Sequence, residues 1–273
     1  MVFQPTLGNV MPAMGKINYL LTHTLRGDTD QSEYADDSHV HSCYEIYVNV
    51  TGDVSFLYGN EIHGIKPYDV IFSRPGEIHH CIHRRGTPHE HYCLWFSEEG
   101  GAFSDMSDGT VGHIRLSDEG KRRLASLLER LEAGLESSSD ELICLLSIIS
   151  LVCSGEEAGG AKKPRKERKI SEILEYMDMH LAEIRHTSDI ADAFYMSVPT
   201  LNRLFREETA LSPKKLLDAK RITEAERLLR GDVSVTEACF AVGFSDLSRF
   251  ITKFRARFGA TPHRYKASLK NTK

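Results

Sequence analysis

Between residues 17 and 97 the apolar positions come in short runs: YEIYVNVTG, DVSFLYG, YDVIFS and HYCLWFS. Each is rich in β-branched and aromatic residues, and turn signals separate them at Gly52, Gly59-Asn60, Pro67, Pro75-Gly76 and Gly86-Thr87-Pro88. Many short strands at such spacing predict a β-barrel or sandwich. From Leu116 the period becomes helical. Leu116, Leu124, Leu127, Leu128, Leu131 and Leu135 fall on one stripe, and Ser117 ahead of Asp118-Glu119 supplies a helix start. After ESSSD, residues Glu141 to Val152 read as a second, more apolar helix. The two predict a helical hairpin whose leftover apolar surface serves either a dimer interface or its own domain. The stretch SGEEAGGAKKPRKERK, Ser154 to Lys169, has no apolar period and predicts a linker. Its basic residues suit phosphates and a solvated tether equally. Beyond it the pattern is helical throughout. The expected organisation is a β domain over 1–115, a helical hairpin over 116–154, a linker over 155–168 and a helical domain over 169–273.

Bulk properties sharpen this picture. A chain of 273 residues, 41% hydrophobic and 27% charged, suits two globular domains. The longest apolar run, Leu142 to Cys153, is interrupted by Ser147 and Ser150 and is too short to span a membrane. The N-terminus lacks a basic head followed by an apolar core. Six cysteines show no CxxC pair, as expected for reduced thiols in a cytoplasmic protein. The net charge of −5 hides a division: residues 1–161 carry 11 Lys and Arg against 24 Asp and Glu, whereas residues 162–273 carry 23 against 15. A basic C-terminal half points to a polyanionic partner.

That half contains a repeat. IADAFYMSVPTLNRLFREETALSP begins at Ile190, and ACFAVGFSDLSRFITKFRARFGATP begins at Ala238. Ala191 matches Cys239 at an offset of 48, whereas Leu201, Phe205 and Pro213 match Phe250, Phe254 and Pro262 at 49. Each copy reads as a short helix, a tight turn and a second helix, the pattern of a helix-turn-helix. On the second helices, Leu201, Leu204 and Phe205, then Phe250, Phe254 and Phe258, form apolar stripes. The opposite faces carry Thr200, Asn202, Arg203 and Arg206, and Ser248, Arg249, Thr252 and Lys253. These side chains suit base edges and phosphates. With Val242-Gly243-Phe244-Ser245-Asp246, Gly259, Thr261-Pro262 and Tyr265, the segment resembles the AraC/XylS-type DNA-binding domain over roughly 100 residues. The resemblance implies that both second helices enter successive major-groove segments of double-stranded DNA, through the eight polar residues just named. Ala210, where Gly often ends the first such helix, and Thr252-Lys253, in place of an Arg-apolar pair, depart from the family pattern.

In the N-terminal half, HVHSCYEIYVNVTG gives His39, His41 and Glu45 the same strand parity, with Gly52 six residues on, and His79 lies three past Gly76. The spacing H-x-H-x3-E-x6-G and then G-x2-H resembles the cupin barrel. Tyr68 stands where Gly is usual. In metal-binding cupins such a set, here His39, His41, Glu45 and His79, holds Zn, Ni, Fe or Mn. In regulators with a cupin-like domain the same positions, with Tyr47, line an effector pocket instead. Both readings stand. His80, His89 and His91 are read as surface or loop residues. The fold class expected is α+β: a cupin-like barrel with a helical hairpin, then an all-α tandem helix-turn-helix domain. The resemblance implies a non-enzymatic, homodimeric regulator with a small-molecule effector such as a sugar, RNA polymerase as a further partner, and activation more often than repression. A cupin metalloenzyme fused to a DNA-binding module is the alternative.

Overall fold

The computed structural model describes residues 6–10, 17–26, 43–75, 77–83, 88–98, 112–157 and 165–271. The N-terminal elements are β1 (Thr6–Val10), β2 (Ile17–Arg26), β3 (Tyr44–Thr51), β4 (Val54–Tyr58), β5 (Glu61–Ile65), β6 (Val70–Ser73), β7 (His79–His83), β8 (His89–Glu98) and β9 (Gly112–Arg115), then α1 (Asp118–Ala133), α2 (Ser138–Cys153) and β10 (Glu156–Glu157). The second domain comprises α3 (Arg165–Met179), α4 (Thr187–Ala193), α5 (Val198–Thr209), α6 (Pro213–Leu229), α7 (Val235–Ala241), α8 (Leu247–Phe258) and α9 (Pro262–Asn271). The fold is α+β, a β-sheet domain followed by a helical one. None of the described helices is long and apolar enough to cross a membrane.

The strands form a seven-stranded sheet in the order β1-β2-β8-β3-β6-β9-β10 and a three-stranded sheet in the order β5-β4-β7. Alternation along each strand sorts residues between two faces. Ile46 and Val48 of β3, with Val70, Phe72, Leu94 and Phe96, pack against α1 and α2. Their neighbours Tyr47, Ile71 and Cys93 face the small sheet and pack with Phe56 and Ile65. On the other side of the small sheet, Leu57, Ile62 and Ile82 pack with Ile170, Ile173 and Leu174 of α3. The layers therefore run hairpin, large sheet, small sheet, helical domain. The interior between the sheets lies one sheet away from the helical domain.

The structure selects one of two alternatives for the hairpin and corrects the bounds of the linker. The leucine stripe of α1 does not form a free face, since Leu124, Leu127, Leu128 and Leu131 are buried against the large sheet. An amphipathic helix beside a half-apolar sheet buries its stripe there first, because that contact is always within reach. Outward-facing apolar surface is carried by α2, where Ile143 and Leu146 are exposed. The expected linker over 155–168 is also too long. Glu156–Glu157 pairs with β9, and α3 is already helical at Arg165.

The helical domain shows why the repeat offset changes. Four residues separate α4 from α5, and five separate α7 from α8, so the second copy has the longer turn. Ser197, Ser212, Ser234 and Asp246 cap α5, α6, α7 and α8 by accepting from a backbone N–H three residues on. In the second turn Gly243 adopts φ +85°, and a Cβ there would lie 2.6 Å from the carbonyl oxygen of Leu181. Only glycine lets this turn seat against the segment after α3.

Candidate nucleic-acid interface and sensing pocket

Leu201 and Phe205 anchor α5 in the core, and Phe250 and Phe254 anchor α8. With those stripes buried, helical periodicity turns the other face outward. Thr200, Asn202, Arg203 and Arg206 are exposed on α5, and Ser248, Arg249 and Thr252 on α8, with Lys253 half-buried. The structure thus brings each expected set together on one helix face. Two threonines are already engaged: Thr200 Oγ1 lies 2.9 Å from Ser197 Oγ, and Thr252 Oγ1 donates to the Ser248 carbonyl at 2.9 Å. Arg203 meets Glu207 of its own helix at 3.5 Å, a pair exposed on both sides and therefore worth little.

Between the two helices runs α6, which is tied to segments of both units. Its Arg221 donates to the carbonyls of Leu181, at 2.7 Å from Nη2, and of Ile184. Its Glu226 accepts from Arg230 at 2.6 Å and from the Tyr265 hydroxyl of α9. Buried charged groups satisfied in this way fix geometry, because a shift would leave a charge unpaired. The same helix carries buried Lys220, whose Nζ lies 2.7 Å from Asn60 Oδ1 in the β4–β5 turn and 2.7 Å from Asp178 on α3. Burial pushes this ammonium below its ordinary value while Asp178 pushes back. A cleft of about 760 Å³ opens beside it, lined by Tyr58, Asn60, Glu77, Asp178, Lys220 and Glu224 among others.

Between the sheets, Glu45 Oε2 lies 2.7 Å from His79 Nε2, and both residues are buried. His79 Nδ1 lies 3.0 Å from the Glu77 carbonyl. That oxygen can only accept, so Nδ1 carries a proton, and the Glu45–His79 contact holds a second one. Tyr47 stacks on His91 at 5.0 Å and tilts against Phe56 at 5.0 Å, and its hydroxyl lies 3.4 Å from Cys81 Sγ. Burial, and then the Glu45 charge, push the Cys93 thiol well above its ordinary value, so it stays protonated. His39 and His41 lie outside the described residues. Glu45, Tyr47 and His79 come together, with Glu45 and His79 in direct contact. Among the described residues no three His, Cys, Asp or Glu converge as a metal-holding group.

His80, His89 and His91 correct the surface reading. His80 and His89 are buried, and His91 belongs to the interior beside Tyr47. The missed signal was parity across two strands. Glu45, Tyr47 and Asn49 of β3 pair with Trp95, Cys93 and His91 of β8, so alternate residues of β8 from His89 point inward with them. His80 lies opposite Leu57 on β4, on the face that the second domain covers.

A β domain whose interior gathers polar and aromatic groups, joined to two helix-turn-helix units with polar outer faces, is the layout of a DNA-binding protein with a separate ligand-binding domain. Comparison with known proteins agrees. A model of the AraC-like ligand binding domain matches residues 24–151, and a helix-turn-helix domain model matches residues 190–268. The chain belongs to the AraC family of DNA-binding transcription regulators with a ligand-binding domain. It is 26% identical to the HTH-type transcriptional activator RhaS of Salmonella arizonae over 243 residues, covering 82% of this chain and 85% of that one. To the RhaS of Escherichia fergusonii it is 31% identical over 149 residues, about half of either chain. Among solved structures, the DNA-binding domain of AdpA in complex with a target DNA is 31% identical, with 37% of this chain and 92% of that chain covered and a TM-score of 0.36.

Proposed function

We propose that the chain is a homodimeric regulator that takes a small organic molecule between its two sheets, and that this occupancy changes how α5 and α8 are presented to DNA. The observation that carries this reading is the small sheet. Along β4, Phe56 packs into the interior while the next residue, Leu57, packs with α3 of the helical domain. A ligand that shifts Phe56, Tyr58, His79 or Cys81 therefore moves the surface on which the helical domain rests. The coupling is a shift between two arrangements, limited by the ligand's difference in affinity for them. A polar organic effector, such as a sugar or related metabolite, suits an interior offering a carboxylate, imidazoles and a tyrosine hydroxyl. Direct contact between Glu45 and His79 supports the organic pocket over the metal reading.

On DNA, Asn202, Arg203 and Arg206 of α5 and Ser248, Arg249, Thr252 and Lys253 of α8 act as contacts, with Thr200 beside the helix start. Activation is the favoured direction, since the matched relatives from both organisms are described as activators. A thermal-shift screen of metabolites tests the effector, because a ligand that binds only the folded state raises its melting temperature. The expected hit also changes DNA affinity and loses its effect in His79→Ala. The second arm is elemental analysis of protein purified without a histidine tag. Trace metal is expected, and about one metal per chain overturns the organic pocket.

A further inference from the structure

Asp218 lies on α6 and on neither recognition helix, yet three cations converge on its carboxylate. Oδ1 accepts from Lys214 Nζ at 2.8 Å. Oδ2 lies 3.1 Å from Lys253 Nζ and 3.6 Å from the Arg249 guanidinium. The Asp218 side chain is 9% exposed, against 54% for Arg249 and 37% for Lys253. The anion is thus held inside while the two cations of α8 reach outward over it. Arg249 and Lys253 stand four residues apart, a spacing at which like charges on a helix repel. On α5 the matching surface is built otherwise, with Arg203 against the exposed Glu207 of its own helix.

We propose that Asp218 is a positioning residue for DNA recognition, which holds Arg249 and Lys253 in one pre-formed arrangement and offsets part of their charge. Long cationic side chains lose rotamer freedom when they dock, and a buried counter-ion that orders them beforehand lessens that loss. The same carboxylate weakens sequence-independent attraction to phosphate, which scales with the positive charge presented. The second helix therefore gains discrimination at the expense of general grip. This rests on the reading that α8 meets DNA, and the test separates the two.

The probes are a duplex enriched from a random pool by the full-length wild-type protein and a shuffled duplex of equal composition. Affinities for both are measured over a salt series for wild type, Asp218→Asn, Arg249→Ala, Lys253→Ala and the two double variants, with thermal melts as the fold check. For Asp218→Asn, tighter binding to the shuffled duplex is expected, with a salt slope steeper by about one unit. The ratio of enriched to shuffled affinity falls about tenfold, and Arg249→Ala changes that ratio less in the Asp218→Asn background than in wild type. If Arg249→Ala and Lys253→Ala weaken binding but Asp218→Asn leaves ratio and slope as in wild type, the positioning role is overturned and the α8 reading stands. If neither single variant alters binding to either duplex, the α8 reading fails and takes the inference with it. Should Asp218→Asn not fold, Lys214→Met leaves the carboxylate to the α8 pair alone. The ratio then rises, and an unchanged ratio overturns the proposal.

Discussion

At Asp69 a buried carboxylate gathers partners from β9, α1 and the turn between β5 and β6. It lies 2.9 Å from His113 and 3.3 Å from Arg115 of β9, 3.9 Å from Lys121 of α1, and accepts from the Lys66 N–H. Burial pushes its pKa up, but the hydrogen bonds from His113, Arg115 and Lys66 outweigh it, and the net shift is below the usual 3.8. A carboxyl whose folded value is depressed contributes stability above its unfolded value, and that contribution is lost as pH falls through the folded value. Wild type should therefore lose melting temperature between about pH 5 and pH 3 more steeply than Asp69→Asn. The variant should itself be roughly 2–4 kcal/mol less stable at pH 7, because Arg115 is left without its counter-ion and His113 without its carboxylate hydrogen-bond partner. Parallel pH profiles for the two proteins would contradict this account. The neighbouring Tyr68 has φ +59°, at the position where the cupin resemblance expects glycine. Ala210, also where glycine is usual, has φ +55°. Both departures keep the backbone conformation that the pattern encodes, although left-handed geometry costs roughly 1–2 kcal/mol outside glycine.

At the scale of elements, the tandem helix-turn-helix was legible because its signals are local: serine and aspartate caps, apolar stripes, and an offset whose extra residue lies in the second turn. The sheet was less so. β9 becomes a strand through a partner distant in sequence, Val70 to Phe72 of β6, and β1 through its hairpin with Ile17 to Leu21 of β2. Their own short segments carry little pattern. The inward row of β8 was missed for a related reason, since parity on one strand becomes informative only once its register with β3 is known. For α1 the choice between a dimer interface and its own domain stayed open, because periodicity says that a stripe is buried, not against what. The proposed dimer places its interface on α2, where Ile143 is 63% exposed and Leu146 is 37% exposed three residues on. Ile143→Glu combined with Leu146→Glu should convert a sedimenting dimer to a monomer at micromolar concentration while leaving the melting temperature within a few degrees. A wild-type chain that is already monomeric there removes the interface.

Across the whole molecule, what one sequence pattern could not convey is how the two domains dock. His80 read as a surface residue because its strand carries no mark that a second domain covers it. Lys220 looked like one more cation of a basic half, yet it is 7% exposed and joins α6 to Asn60 of the β domain and Asp178 of α3. Lys220→Met leaves Asp178 without its cation, but that carboxylate is 42% exposed and keeps its hydrogen bond from Asn60 Nδ2 at 2.7 Å, so it stays hydrated and no buried charge is orphaned. Lys220→Met should therefore melt near wild type but uncouple the domains, so that an effector identified by thermal shift no longer changes DNA affinity. Intact effector control in Lys220→Met would show that the signal runs through the apolar face of the small sheet without this link. The central claim is that α5 and α8 of one chain, spaced by α6, enter adjacent segments of the major groove. Hydroxyl-radical footprinting on a duplex enriched by the full-length protein tests it most directly: each chain should protect two patches about one helical turn apart. Arg203→Ala should weaken protection of one patch and Arg249→Ala of the other, each costing about 1–3 kcal/mol. A single short patch per chain, weakened alike by both substitutions, would contradict it.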